Sequence, residues 1–242
     1  MTKFKRNKLN DLFKSLPDGV PVTSGDLATL DISASLAVQY VRAGWLTRLS
    51  RGVFSRPGPL DLHACLRFLE GRMEGLHVGG KTALDWYGIR HNLAHRRVLR
   101  LYGWASGPLP AWFTENFPES SYHRLRLFDE SPTALLHVLP YQNREEAPLV
   151  STPERATLEL LSEVGVRQPL QEAQDILESA PHLRASVLQE LLERCRQVKT
   201  VRLCLTIGSD LGLPWASKLD AKRLPKGRGR WVGQTKEGFL IL

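Results

Sequence analysis

Apolar residues recur at helical spacing in three successive runs near the start of the chain. The first run covers residues 5–16, the second ends near Leu30, and the third covers residues 34–43. Hydroxyl side chains precede the second run at Thr23-Ser24 and the third run at Ser33, where they are suited to cap a helix. The pattern therefore predicts three short helices, of which the last two are separated by a tight turn.

The helical spacing ends at Gly44. Residues 45–49 mix apolar with polar side chains as short strands do, Ser50-Arg51-Gly52 has the composition of a turn, and Val53-Phe54 returns to apolar residues. This segment is predicted to be a β-hairpin. Helix, turn, helix and hairpin in that order are typical of a winged helix-turn-helix. Such a unit places its second helix in the major groove of DNA and its hairpin, the wing, against the backbone or the minor groove.

Helical periodicity divides the third predicted helix into an apolar face, expected to pack on the preceding helices, and a polar face. The polar face suits the reading of bases, because glutamine can pair with adenine, arginine with guanine, and a small aliphatic side chain with the methyl group of thymine. Simple solvation of this face is the alternative, and the hairpin that follows favours DNA binding. The predicted DNA-binding residues are Ser33, Ser35, Val38, Gln39 and Arg42 on the helix and Arg48, Ser50, Arg51 and Arg56 on the hairpin.

Pro57-Gly58-Pro59 is the clearest boundary in the chain and predicts a winged-helix domain over residues 1–58 and a second domain over 59–242. The second domain is predicted to begin with an α/β part over about 59–147 and to continue with a helical part and a basic hairpin over about 148–242. The predicted fold class is therefore α+β. Beyond the boundary the pattern predicts helices over 61–74, 82–87, 169–179, 182–198 and 199–208, a helix that opens at 151–155 with a glutamate placed for a capping box, and strands over 98–102, 124–128 and 136–139.

Positive charge is concentrated at the two ends of the chain, whose formal net charge is +8. Residues 1–58 contain nine basic and four acidic side chains, residues 219–242 contain six and two, and the segment between them contains eighteen and nineteen. Basic ends around a neutral middle indicate a polyanionic partner such as nucleic acid. Lys226, Arg228 and Arg230 are candidates for a second DNA contact, with a merely solvated tail as the alternative.

Composition points to a globular protein without a membrane partner. Apolar residues make up 42% and charged residues 24% of the chain, and no run of about 18 apolar residues is present to span a bilayer. The polar start MTKFKRNKLN lacks the apolar core of a signal peptide, so we expect a cytoplasmic protein. The cysteines, Cys65, Cys195 and Cys204, are expected to be buried free thiols.

Residues 75–82 match the phosphate-loop pattern G-x-x-x-x-G-K-[ST] letter by letter. Such a loop leaves a buried strand, whereas the residues before Gly75 read as an amphipathic helix, so a Gly-Gly turn followed by a helix is the preferred interpretation. His91 and His95 have helical spacing but lack the glutamate and the third ligand of a zinc site. We therefore predict no catalytic residues, no metal, no cofactor and no enzymatic activity.

Three segments in succession resemble the AbiEi antitoxins of type IV toxin–antitoxin systems, which act in abortive infection. They are GWLTRLSRGVFS over residues 44–55, HVGGKTALDWYGIRHNL over 77–93 and VSTPERATLELL over 150–161. The resemblance implies a repressor of its own operon that binds double-stranded DNA at inverted repeats in the promoter. It also implies a C-terminal domain that counters a nucleotidyltransferase toxin without a stable complex, and a structural role for the Gly-Gly-Lys-Thr turn. It offers no match for the basic segment 226–230.

Two other functions are compatible with the same pattern. The α/β part of a winged-helix regulator could bind a small ligand and thereby change the affinity for DNA, which a ligand-dependent shift in melting temperature would reveal. A nucleotide-handling or nuclease domain tethered to DNA by the winged helix is the enzymatic alternative, and it requires activity with a divalent metal.

Overall fold

A computed structural model describes residues 16–90 and 98–230 and the backbone of two strands beyond them. The predicted helix over 5–16, apart from its last residue, lies outside the described residues, as do His91 and His95. The chain divides into two compact units. The N-terminal unit comprises residues 1–72, 109–118 and 146–148, and the C-terminal unit comprises 73–108, 119–145 and 149–242. The domain boundary after residue 58 stays a prediction.

The fold is α+β, as predicted. In chain order the helices are α1 (Ser24–Thr29), α2 (Ala34–Arg42), α3 (Leu62–Glu70), α4 (Gly80–Trp86), α5 (Ala111–Asn116), α6 (Pro153–Ser162), α7 (Leu170–Glu178), α8 (Ala185–Glu193) and α9 (Val198–Asp210). The strands are β1 (Val22–Thr23), β2 (Thr47–Ser50), β3 (Val53–Ser55), β4 (His77–Val78), β5 (Leu99–Gly103), β6 (Ser120–Arg124), β7 (Val138–Pro140), β8 (Leu149–Ser151), β9 (Val232–Thr235) and β10 (Gly238–Ile241).

The N-terminal unit has the order of a winged helix-turn-helix. Helices α1 and α2 precede the hairpin β2–β3, and β1 pairs antiparallel with β3 to give a sheet of order β1-β3-β2. One apolar core joins the helices to the sheet, as expected for short elements that must bury their apolar faces against each other. Its buried residues are Leu16, Val22, Leu27, Ile32, Ala37, Tyr40, Leu46 and Phe54.

Local signals in the sequence set the helix ends of this unit. Thr23 caps α1, where its hydroxyl accepts a hydrogen bond from the backbone N–H of Asp26 at 3.0 Å and its own N–H donates to the Asp26 carboxylate at 2.7 Å. The hydrogen bonds from the Thr23 backbone and side chain lower the pKa of the Asp26 carboxyl below its usual range. Ser33 caps α2 and accepts from Leu36 N at 3.3 Å. Gly44 follows α2 at φ 73°, a conformation that favours glycine.

The C-terminal unit is built on a five-stranded sheet of order β6-β5-β4-β8-β7. The pairs β5–β6 and β4–β8 are parallel, whereas β4–β5 and β7–β8 are antiparallel. Helix α6 packs against α4, α8 and α9, and every residue from Glu154 to Ser162 is buried. It is therefore the central helix of the unit, although its sequence contains charged side chains.

Beyond the winged helix, the structure corrects the predicted position of a strand, the predicted cap of a helix and the predicted lengths of helices, of which the one predicted over 182–198 is observed at Ala185–Glu193. The strand predicted over 124–128 is observed at 120–124, and the unpredicted strand β4 lies inside the segment 75–82. Thr152 caps α6 without a side-chain hydrogen bond, so the predicted capping box is absent. The helix predicted over 61–74 ends at Glu70. The predicted C-terminal hairpin is confirmed as β9–β10.

Candidate nucleic-acid interface

The polar face of α2 is exposed, as helical periodicity predicted. Ser35, Val38, Gln39 and Arg42 are all accessible to solvent, whereas Ala37 and Tyr40 on the opposite face belong to the core. Val38 is 43% exposed and places a small apolar side chain on this face. The face therefore presents an amide, a guanidinium, a hydroxyl and a small apolar group side by side, which is the chemistry of base reading.

The tip of the wing is anchored to the helix-turn-helix. The carbonyl of Gly52 accepts a hydrogen bond from Ser24 N at 2.9 Å, and Ser24 Oγ lies 3.5 Å from the same oxygen. Arg51, next to this anchor, and Ser50 are exposed. Arg48 is exposed too, and its Nε donates to the Ser50 carbonyl at 3.4 Å. The anchor fixes the position of the hairpin arginines relative to α1.

Arg56 and Ser33 have structural roles within the N-terminal unit. Arg56 donates from Nη1 to the Leu16 carbonyl at 3.2 Å and forms an ion pair with Asp18 at 3.0 Å, so its guanidinium is held within the N-terminal unit. We therefore assign Arg56 to the packing of that unit and omit it from the proposed interface. The Ser33 hydroxyl accepts the capping hydrogen bond of α2. We therefore propose that Ser33 supports DNA binding by stabilising the start of this helix and not by direct contact.

A further hydroxyl of the wing was missed by the sequence analysis. Thr47 begins β2 and is exposed, as are Arg48 and Ser50. The signal was present in the sequence, because polar Thr47 follows Leu46, which is buried in the core. Hydroxyl side chains commonly bind DNA phosphates, so Thr47 extends the candidate interface at the base of the wing.

The candidates for a second DNA contact lie in the C-terminal unit. Lys226, Arg228 and Arg230 are exposed in the segment that precedes β9. None of the three has a carboxylate partner among the described residues.

The segment that matches the phosphate loop is closed by a buried carboxylate. Glu159 of α6 accepts a hydrogen bond from the backbone N–H of Gly80 at 3.0 Å, at the helix terminus where a phosphate would bind. Lys81 forms an ion pair with Glu172, and the Thr82 hydroxyl donates to the Val98 carbonyl at 2.8 Å. The groups that would hold a nucleotide are therefore occupied within the protein, which supports the turn-and-helix interpretation.

Glu159 belongs to a buried network of charges that the sequence analysis did not identify. Arg155 donates from Nε to Glu159 at 2.7 Å and, through both terminal nitrogens, to the Glu130 carboxylate at 2.7 and 2.8 Å. His77 Nε2 lies 2.9 Å from Glu159 Oε1, and Ser151 Oγ donates to Oε2 at 2.9 Å. The network joins β4, β8 and α6, so it organises the unit and leaves no site for substrate at these groups.

Acid is expected to destabilise the C-terminal unit through Glu159 and Glu154. Burial raises the pKa of each carboxyl, but His77 and Arg155 lower the pKa of Glu159 to about 2, and Arg184 lowers that of Glu154. A carboxyl whose pKa is lowered on folding stabilises the folded state at pH values above its unfolded pKa of 4.5. This stabilisation is lost as pH falls from about 4.5 towards 2. For Glu159 the loss is on the order of 3 kcal/mol.

The urea midpoint of the full chain should therefore fall as pH drops from about 5 to 3. The fall should be shallower in Glu159→Gln, whose side chain does not titrate. A midpoint that stays constant down to pH 3 would contradict this assignment.

None of the helices among the described residues is long and apolar enough to cross a membrane. The fold defines a winged helix-turn-helix protein whose helix α2 and wing carry exposed polar and basic residues. Two family models match the sequence: "Transcriptional regulator, AbiEi antitoxin N-terminal domain" over residues 5–95, and "Transcriptional regulator, AbiEi antitoxin, Type IV TA system" over residues 96–241. The chain belongs to the AbiEi family of antitoxins and transcriptional regulators of type IV toxin–antitoxin systems, which confirms the resemblance inferred from the sequence.

The fold is similar to that of the crystal structure of the RV2827C protein from Mycobacterium tuberculosis, with a TM-score of 0.61. The similarity covers 96% of this chain and 89% of that chain at 14% sequence identity, so it supports the fold and no finer property. No curated protein sequence matches the chain.

Proposed function

We propose that this antitoxin represses its own operon by binding double-stranded DNA at inverted repeats in the promoter. The observation that carries the proposal is the pairing of an exposed polar face on α2 with a basic wing anchored beside it. Family membership supports a role in transcription, and the geometry supports duplex DNA as the ligand, because a helix of this size fits the major groove. The protein acts in the cytoplasm by binding, with no catalytic step of its own.

The proposed contacts fall into two groups. Ser35, Val38, Gln39 and Arg42 read base edges in the major groove, with Gln39 suited to adenine and Val38 to a thymine methyl. Arg48, Ser50 and Arg51 of the wing, together with Thr47, bind phosphates or enter the minor groove. The first group determines which sequence is bound, whereas the second contributes affinity that depends on salt.

We further propose that the C-terminal unit counters a nucleotidyltransferase toxin without forming a stable complex with it. The family model that matches residues 96–241 is described as an AbiEi antitoxin of a type IV toxin–antitoxin system, and this description supports the assignment. The test is growth rescue: cells that express the toxin should recover when the full antitoxin is supplied, and the two purified proteins should not co-elute in gel filtration.

Replacing Arg51 with alanine should weaken binding to every duplex, and replacing Gln39 with alanine should weaken binding to the promoter selectively. Loss of a phosphate contact lowers the salt slope by about 0.9, and loss of a bidentate base contact costs about 1–3 kcal/mol of discrimination. Fluorescence anisotropy with promoter and scrambled duplexes at several salt concentrations measures both. Arg144→Ala, which removes an exposed arginine outside the proposed interface, is the matched control and should change neither quantity.

An Arg48→Ala/Arg51→Ala double variant tests the proposal most directly. If it kept the promoter affinity and the salt slope of the parent protein, the wing would not contact DNA and the proposed interface would be wrong.

A further inference from the structure

We propose that the outer edge of strand β6 is an interaction surface whose occupant is the same strand of a second copy of this chain, paired antiparallel. Strand β6 lies at one end of the five-stranded sheet, and among the described residues it pairs only with β5. The pairing involves the C-terminal unit alone and requires no DNA, so it goes beyond the proposed function.

Alternate residues of β6 direct their backbone groups away from the sheet. Leu99 N donates to the Glu119 carbonyl at 2.9 Å, and Leu125 N donates to the Gly103 carbonyl at 3.1 Å, so residues 119 and 125 face β5. Successive residues of a paired strand turn their N–H and C=O groups to opposite sides. The residues that face outward are therefore Ser120, Tyr122 and Arg124. No group in the described part of the chain bonds to their backbone N–H or C=O.

The long side chains of β6 leave this edge uncovered because they lean over β5. The Tyr122 hydroxyl donates to the Ala105 carbonyl at 3.0 Å. A Cβ atom at Gly103 would come within 2.9 Å of the same hydroxyl oxygen, so the ring passes close over β5. Arg124 donates from Nε to the Trp104 carbonyl at 3.2 Å. Both side chains thus point back over the sheet and do not cover the outward backbone groups of their own strand.

The opposite edge of the same sheet is protected against pairing, whereas β6 is not. In β7 the His137 carbonyl accepts from Thr152 N at 2.9 Å, so alternation turns Val138 and Pro140 outward. Pro140 has no N–H to donate to another strand. Strand β6 contains neither proline nor a bulge, and its five residues pair with β5 in unbroken register. An edge strand without such protection is a template for pairing with another strand.

An antiparallel copy of β6 can satisfy all of the outward backbone groups. When two copies pair around Tyr122, each outward residue of one strand lies directly opposite an outward residue of the other. Residues opposed in this way exchange both of their N–H···O bonds. The opposed pairs are Ser120 with Arg124, Tyr122 with Tyr122, and Arg124 with Ser120. The strand is therefore complementary to itself.

The charges at the two ends of β6 favour this orientation. Exposed Glu119 precedes the strand, and exposed Arg124 and Arg126 lie at its end and just beyond it. In the antiparallel pair, Glu119 of each copy lies opposite residue 125 of the other and so next to both arginines. Opposite charges at this separation attract each other at low salt. A parallel pair would bring like charges together, so complementarity of charge selects the antiparallel arrangement.

Sedimentation equilibrium of the full chain without DNA tests the pairing. The parent protein should pass from the monomer mass of 27.3 kDa towards twice that mass as its concentration rises. Ser120→Pro removes an outward N–H at the first residue of the strand, where proline is tolerated, and should raise the dissociation constant roughly tenfold or more. Ser120→Ala is the matched control and should associate like the parent. It keeps the N–H and removes only a hydroxyl that has no hydrogen-bond partner among the described residues.

A charge exchange tests whether the occupant is a second copy. Glu119→Lys and Arg126→Glu should each raise the dissociation constant roughly fivefold at low salt, because each variant alone brings like charges together at both ends of the pair. An equimolar mixture of the two variants should associate like the parent, since opposite charges then meet again at both ends. A strand from an unrelated protein would not produce this recovery.

A parent protein that stays monomeric at every concentration would overturn the inference and leave the edge to a strand of another protein. A dimer that forms equally well in Ser120→Pro, or a mixture of the charge variants that associates no better than either alone, would overturn it as well. If Ser120→Pro melts well below Ser120→Ala, the charge exchange decides the question. The proposed function is unaffected by these outcomes, because the DNA titrations of Arg51→Ala and Gln39→Ala test it separately.

Discussion

Replacing Glu159 with alanine is expected to lower the free energy of unfolding of the C-terminal unit by about 3–5 kcal/mol. The Glu159 side chain is 1% exposed, and its carboxylate accepts hydrogen bonds from Gly80 N, Ser151 Oγ and Arg155 Nε and is paired with His77. Alanine removes all of these acceptors at once. The donors then remain buried without a partner, and the positive charge of Arg155 loses half of its compensation.

Urea denaturation followed by tryptophan fluorescence measures this loss. The matched control is Glu172→Ala, which removes a carboxylate from the ion pair with Lys81, where both side chains are about one-third exposed. An ion pair that water reaches contributes less than about 1 kcal/mol. A loss in Glu159→Ala no larger than in this control would show that the buried network does not stabilise the unit.

Added formate should partly restore the stability of Glu159→Ala. The variant leaves a small cavity into which the N–H of Gly80, the Ser151 hydroxyl and the Arg155 guanidinium converge, and a small carboxylate can replace the missing one there. Binding to the folded state alone raises the melting temperature with ligand concentration. The parent protein, in which Glu159 occupies the position, should show no comparable increase.

The N-terminal unit could be predicted from the sequence because its determinants are local. Thr23 and Ser33 are hydroxyl caps, Gly44 suits a left-handed helix end, and the Ser50-Arg51-Gly52 turn matches the hairpin. The exposed face of α2 follows from helical periodicity alone. The pairing of Arg56 with Asp18 could not be predicted, because it joins residues 38 positions apart through tertiary packing.

The C-terminal unit was predicted less well because its central helix does not follow the amphipathic rule. Arg155 and Glu159 are one helical turn apart, a spacing that is typical of a solvated ion pair on a helix surface. In α6 the same pair is buried, since the sheet and the neighbouring helices surround the whole helix. Periodicity within one segment carries no information about how many sides of the helix are covered.

The position of the sheet explains both the wrong strand prediction over 124–128 and the correct rejection of the phosphate-loop pattern. The apolar residues Leu127 and Phe128 suggested a strand over 124–128, yet they are buried beyond the end of the sheet, and the more polar segment 120–124 forms β6 beside β5. In residues 75–82 the letters of the pattern are spaced correctly, but β4 occupies the centre of the segment. A strand held in a sheet cannot wrap its N–H groups around a phosphate.

Replacing Gly79 with alanine is expected to be the most damaging single-methyl change in the C-terminal unit, with a loss of about 3 kcal/mol or more. Gly79 lies between β4 and α4, and a Cβ atom there would come within 2.2 Å of Glu159 Oε2 and 2.6 Å of Tyr102 Cδ2. Its backbone is extended, with a φ of −146°, so the loss arises from crowding and not from the backbone conformation. The buried carboxylate of Glu159 therefore occupies space that only a residue without a Cβ leaves free at position 79.

A double-mutant cycle in urea denaturation tests that dependence. When Glu159→Ala is present, the closest clash disappears and only the contact with Tyr102 remains, so adding Gly79→Ala should cost at least about 1 kcal/mol less than it does in the parent protein. Gly71→Ala is the control, because its Cβ would meet no atom closer than 3.9 Å and its φ is −71°. Full additivity in the cycle, or a loss in Gly79→Ala as small as in this control, would mean that the carboxylate does not set the space available to the backbone.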